Sequence, residues 1–335
     1  MKPDLSNELY TKVVPSLSSF EVSSRYVDAK TVECERLRID GKTLENIINE
    51  EKLQPLDLAG REIIGEDDYY VLWDDNGQPI DVKLPEGYCP SFANCKGLKE
   101  WRWDLSKYKT LDSTFMNCKN LSKFNSDLSN LENGAHLFDL CSKLSEVNSE
   151  FINLKDGTSM FANSGITTIS GNFPKLQKAA GMFYGNWRPK EFEGNLQNLT
   201  EANGMFCWCN NLRSFKANLD LLKDGDNMFA YCGLKSFDAE LISLVRGGGM
   251  FVACSLDKTS VQKIINCLRT TNVLTTTASL SLGIDKTLAT DSELLEFLQI
   301  SEGVNQSITI TPPVRTLEDG TVVGGGTWTV NLTWN

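Results

Sequence analysis

Phenylalanine recurs at Phe92, Phe115, Phe138, Phe161, Phe183, Phe206, Phe229 and Phe251, in steps of 23, 23, 23, 22, 23, 23 and 22 residues. A period this regular confines the chain to architectures that stack one short unit on copies of itself, each unit burying its apolar face against its neighbours. Further rows keep the period. Three residues after the phenylalanine come Cys95, Cys118, Cys141, Ser164, Asn186, Cys209, Cys232 and Cys254, a small and weakly polar ladder. Leu98, Leu121, Leu144, Ile166, Leu212, Leu234 and Leu256 follow, with Arg188 and Pro189 interrupting the row. Next is a large apolar row, Trp101, Phe124, Val147, Ile169, Phe192, Phe215 and Phe237, and two more rows end at Leu241 and Leu244.

Apolar positions every three or four residues, without a heptad or sustained alternation, fit coils of a solenoid. Both 22-residue steps lose their residue between the small ladder and the following Ile or Leu, so a turn has been trimmed and every later row stays in register. The small row Gly134, Gly157, Ala179, Ala202, Gly225 and Gly247 predicts close backbone approach or positive φ.

The unit seen whole as Met205-Phe206-Cys207-Trp208-Cys209-Asn210-Asn211-Leu212 resembles the BspA-like class of bacterial leucine-rich repeats. That resemblance implies stacks of short strand-containing coils of the kind found on surface and adhesion proteins, and partner or ligand binding instead of chemistry. The expected fold is an α/β or mainly β repeat solenoid, a leucine-rich-repeat array of eight coils of about 23 residues with small capping segments at both ends.

Four regions follow. Residues 1–56 form an N-terminal arm with a strand-turn-helix attachment segment, 57–86 a β-hairpin cap, 87–258 the leucine-rich-type solenoid, and 259–335 a C-terminal cap with a strand-rich tail. The first thirty residues show no period and read as an extended arm. Thr31–Ile39 reads as a strand closing on Asp40-Gly41, and Thr43–Glu50 as a short helix. Tyr69–Trp73 and Ile80–Leu84 around Asp74-Asp-Asn-Gly77 read as the hairpin. Beyond Leu256, Asp257 or Thr259 is placed to cap a helix over Ser260–Arg269, and Asp291–Leu298 is a second helix. Ala278–Gly283, Ser307–Pro312 and the alternating Gly326–Asn335 read as strands, the last exposed enough to pair with another chain.

A net charge of −11 with no basic run excludes a phosphate-backbone partner, so no nucleic acid is expected. No run of eighteen apolar residues occurs, and Met1-Lys-Pro-Asp-Leu-Ser-Asn-Glu8 lacks the apolar stretch of an export signal. The expectation is a chain made in a cytoplasm with no membrane span, its ten cysteines reduced.

Catalysis has little to work with. The single histidine, His136, stands two residues before a repeat phenylalanine, where other coils have Ser113, Ser159, Gly181 and Gly204, and reads as a spacer and not a catalytic base. No phosphate-binding, zinc-protease or nucleophile-elbow motif occurs, so no catalytic residue, cofactor or metal is expected. The ladder thiols, 23 residues apart and without histidines, lack metal-site spacing and read as small buried hydrophobes. Cys207, off the ladder, is the thiol free to point elsewhere. Tyr184, Trp187, Trp208 and Tyr231 fall in one turn of three successive coils and are expected to stack into one strip, either a packed edge or a contact surface for glycan or protein.

The segment Leu37-Arg-Ile-Asp-Gly-Lys-Thr-Leu-Glu-Asn-Ile-Ile48 looks like attachment segments of tailed-phage fibre proteins, particularly those of gut-bacterial phages including the crAss-like group. That implies a virion component, a head or tail fibre or decoration protein. It would contact other virion proteins through its N-terminal segment, form a homo-oligomer such as a trimer, and present its solenoid to a host glycan or protein. A BspA-like bacterial surface adhesin and a cytoplasmic protein-interaction scaffold are the competing readings.

Overall fold

The computed structural model describes residues 20–27, 31–39, 42–43, 81–83, 93–94, 98–101, 105–271 and 277–335. Four strands lie before the array: β1 (Phe20–Val27), β2 (Thr31–Ile39), β3 (Lys42–Thr43) and β4 (Asp81–Lys83). β1 and β3 run antiparallel to β2, with Ile39 opposite Lys42 across the expected Asp40-Gly41 turn. The arm expected over the first thirty residues is thus a strand from Phe20 onward. Its alternation is broken by a register shift at Ser23 and Ser24, which hid it from a period-two reading. β4 pairs in parallel with β2. Thr43–Glu50 beyond Thr43, Tyr69–Trp73, Phe92 and Cys95 lie outside the described residues.

The array is mainly β, and among the described residues its coils contain no helix. The large apolar row is its strand row. β5 (Glu100–Trp101) and β6 (Lys123–Phe124) pair in parallel with Trp101 opposite Phe124, and Phe124 bridges Val147. β7 (Ile169–Asn172), β8 (Glu191–Asn195), β9 (Ser214–Ala217) and β10 (Ser236–Asp238) form one parallel sheet with Ile169, Phe192, Phe215 and Phe237 in register. A second parallel ladder of single bridges joins Thr110, Asn133, Asp156, Lys178, Glu201, Asp224 and Arg246.

The phenylalanine turn is the third ladder. From Phe115 to Phe251 the rings stack at 5.3 to 5.8 Å, nearly parallel, and meet the strand-row rings edge to face. In the coil around Phe206, the amides of Gly204, Phe206 and Trp208 donate to Asp226, Met228 and Ala230 of the next coil. Those of Met205, Cys207 and Cys209 donate three residues back, to Ala202, Gly204 and Phe206. The turn is bracketed by left-handed residues two before and two after the phenylalanine, here at φ +61° for Gly204 and +64° for Trp208.

Positive φ therefore belongs to these two columns and not to the small row. None of Gly134, Gly157, Gly225 and Gly247 has it, and what presses on the first three is the next coil's methionine: Met160 Cε and Sδ would both stand 3.2 Å from a side chain started at Gly134. The trimmed turns carry a glycine each. A Cβ at Gly165 would approach Ser142 O to 2.5 Å, and one at Gly233 would meet Asn210 O at 2.5 Å, because the shortened turn lies on the carbonyls of the coil before it. Pro189 is buried in the leucine row it interrupts.

The last coil is β11 (Gly247–Leu256). α1 (Lys258–Thr270) continues the strand row: Ser260, 23 residues after Phe237, accepts the Phe237 amide at its hydroxyl, while Val261, Ile264, Ile265 and Leu268 are buried. Asp257, not Thr259, is the N-cap. β12 (Thr277–Ile284) pairs in parallel with β11 and sets the buried Leu280, Leu282 and Ile284 opposite Gly247, Phe251 and Leu256. α2 (Ser292–Leu298) starts one residue after the expected Asp291, which is its N-cap, and β13 (Gln306–Ile310) starts one residue before the expected Ser307 and stops two short of Pro312. β14 (Arg315–Thr316) and β15 (Val322–Val323) form a small hairpin. β16 (Thr327–Trp334) lies between β12 and β13, so both its edges are paired and the final strand cannot receive another chain. Its alternation reflects burial of Trp328, Val330 and Leu332; the sheet ends at β13.

Candidate binding surface

Two residues past the phenylalanine, one column runs the length of the array: Asn94, Asn117, Leu140, Asn163, Gly185, Trp208, Tyr231 and Ala253, all with φ between 51° and 71°. Asn and Gly adopt this conformation readily; for a bulky side chain it costs about 1–2 kcal/mol. Trp208 and Tyr231 are therefore held against local preference, yet they are 45% and 46% exposed and do not fill the core. Their rings stack at 4.4 Å between centroids and 9° between planes.

The expected four-residue strip is only partly one column. Tyr184 stands one residue after Phe183 and Trp187 four after it, while Gly185 occupies the place equivalent to Trp208. Both side chains reach solvent, at 38% and 57% exposed, and the Arg188 guanidinium lies 5.2 Å from the Trp187 ring. Among the described residues, ring contact joins only Trp208 and Tyr231 of the four.

The small ladder acquires a chemical reason. Cys141, Cys209, Cys232 and Cys254 each donate the thiol to the carbonyl of a phenylalanine in the preceding coil, at 3.1, 3.1, 2.7 and 3.2 Å. Asn186 makes the same bond to Phe161 O at 2.6 Å, and Ser164 donates to Asn186 Oδ1. The row selects a short donor, which Cys, Ser and Asn share. Burial pushes the Cys141 thiol up to about 12 and raises Cys232 and Cys254 well above the ordinary range, which disables them as nucleophiles. Cys207 is buried too, its thiol pushed up to about 11 by desolvation.

His136 Nδ1 lies 3.2 Å from Asp139 Oδ2, and His136 itself has left-handed φ. No group of metal-ligating side chains occurs among the described residues.

The strand face carries a feature that sequence reading passed over. Glu193, Lys216 and Asp238 are exposed and lie one residue past the strand-row phenylalanines, and Lys263 of α1 extends the row. Lys216 pairs with Glu193 at 2.8 Å, and Lys263 with Asp238 at 2.6 Å and Glu240 at 3.4 Å. Lys263 holds the Asp238 carboxyl below its ordinary value, and Glu193 raises Lys216. The signal was the alternating sign of Glu193, Lys216 and Asp238 at the 22- to 23-residue period, with Lys263 a further 25 residues on. Glu193, Lys216 and Asp238 border a shallow depression of about 690 Å³, and each of the three is paired with an opposite charge. Exposed pairs of this kind contribute little.

Residues 88–186 and 180–257, half of the chain, match six copies of the family model described as the BspA type leucine rich repeat region. The chain belongs to the BspA-type leucine-rich repeat family. No curated protein matches it. Among solved structures, the BspA-type chain is similar to a leucine-rich repeat protein from Bacteroides ovatus ATCC 8483, at 14% identity and a TM-score of 0.34, covering 81% of this chain and 72% of that one. BspA-type repeats mark a surface or protein-interaction array, and the exposed turn edge described above is where such an array offers aromatic area.

Proposed function

We propose that this chain is a non-enzymatic binding protein of eight coils whose turn edge, centred on Trp208 and Tyr231, engages a host-surface glycan or protein. The observation that carries this reading is the exposed stacked pair on left-handed backbone, where Asn or Gly would be easier to place. Aromatic anchors in such positions dominate binding energies. The carrier we propose is a virion, with the chain serving as a head or tail fibre or decoration protein attached through its N-terminal segment to other virion proteins. Support for that placement is the likeness of Leu37–Ile48 to phage attachment segments. In a homo-oligomer such as a trimer, β13 at the edge of the C-terminal sheet is one strand open for pairing among the described residues.

Family membership favours a second reading, a BspA-type bacterial surface adhesin using the same edge. Mass spectrometry of purified virions separates the two. The peptides co-purify with capsid and tail proteins under the first reading and are found in the cell-envelope fraction of a bacterium under the second. Single alanines at Trp187 and Trp208 test the shared claim: adsorption or assembly should drop strongly with Tm nearly unchanged. A large fall in Tm with normal binding by the folded fraction would assign these rings to packing.

A further inference from the structure

If the turn edge is the binding surface, the geometry points to a slot in it that holds one pyranose ring of a glycan, opened by Gly185 between Asn163 and Trp208. These three residues occupy the same place in three successive coils. The stack with Tyr231 is nearly parallel, so one face of the Trp208 indole is covered from the following coil and the other is turned back along the array. There it meets Gly185, which has no side chain. Two coil steps at the usual strand spacing amount to about 9.5 Å. A ring in van der Waals contact with a wall on each side needs about 7–8 Å.

The second wall is polar. A Cβ at Gly185 would collide with Asn163 Oδ1, so the amide oxygen overhangs the gap. Asn163 is exposed, and among the described residues its amide makes no hydrogen bond, which leaves an acceptor for an incoming hydroxyl. Tyr184 and Trp187, exposed on the coil of Gly185, flank the opening. A pyranose presents a face of C–H groups and a rim of hydroxyls, matching an indole on one side and an amide oxygen on the other. A proline or phenylalanine side chain of a protein partner would use the indole but bring no donor to Asn163.

The column supplies its own plug. At +71°, Gly185 accepts the residue that Asn94, Asn117 and Asn163 place at +66°, +61° and +51°. Asn117 Nδ2 donates to Asn94 Oδ1 at 2.6 Å across one coil, a bond that Gly185→Asn would repeat with Asn163. The full chain should show saturation transfer to the ring C–H protons of methyl pyranosides. It should also bind an array carrying bacterial capsular and lipopolysaccharide fragments in one sector and mucin-type O-glycans in another, the responding sector naming the source. Gly185→Asn should weaken both by about tenfold or more at unchanged Tm. If Gly185→Asn lowers Tm, Trp208→Asn applies the same test by removing the aromatic wall and keeping a left-handed residue. Binding that survives the plug, or silence from every pyranoside and both sectors, overturns the slot. Silence accompanied by lost adsorption in Trp208→Asn overturns the sugar while leaving the binding edge standing.

Discussion

The phenylalanine column and the column two residues beyond it run the same length on the same period, yet one is uniform and the other changes from coil to coil. From Phe138 to Phe229 each ring of the first lies against a ring above and a ring below and meets a further aromatic ring edge to face, so size and shape are fixed by near-identical neighbours. The second is fixed only by backbone conformation, which Asn, Gly, Leu, Trp, Tyr and Ala all satisfy at different cost. A column constrained by packing records the fold; a column constrained only by φ is open to record a partner.

If that division holds, the core should fail collectively. Burial raises Cys141 and Cys267 to about 12 and Cys207 to about 11 from an ordinary 9.0, and lifts Cys232 and Cys254 well above that ordinary value. The folded state thus favours the protonated thiols. Their stabilisation is whole below pH 9 and drains as pH rises towards 12. Denaturant midpoints should stay level up to pH 9 and then fall steadily, with native-state alkylation setting in over the same window.

Phe206→Ala should cost about 3–5 kcal/mol in equilibrium unfolding, the loss of a fully buried ring from a close-packed stack. A loss under about 1 kcal/mol would mean the column is not packed as described. Next in size is a gain. Thr114 stands in the methionine row with a buried hydroxyl that has no partner, so Thr114→Val should stabilise by about 1 kcal/mol in the same assay. Smallest is Trp208→Asn, where relief of left-handed strain offsets the lost stacking and stability should hold within about 0.5 kcal/mol. A loss as large as that at Phe206 would erase the distinction between the columns.

What the sequence displayed was whatever packing repeats, the large apolar row, the phenylalanine row and the trimmed turns, together with Asp257 as one of two candidate helix caps. Less visible were features set by backbone geometry. Ser113, His136 and Ser159 look like arbitrary spacers until their shared positive φ is seen, and the offset of Tyr184 and Trp187 from Trp208 matters only once Gly185 is known to share its column. Tertiary pairing hid the rest. Nothing in the alternation of Thr327–Trp334 says that both edges of the strand are occupied, and a bulge breaks the alternation of Phe20–Val27.

At the phenylalanine turn, coil joins coil through main-chain amides and carbonyls, and the cap at β12 meets the last coil in the same way. Such a junction is indifferent to which coil it closes. Duplication or deletion of one unit in the gene would then leave both ends intact and change only reach, by about 4.8 Å per coil. Length becomes a trait that selection can adjust in whole steps, separately from what the edge recognises.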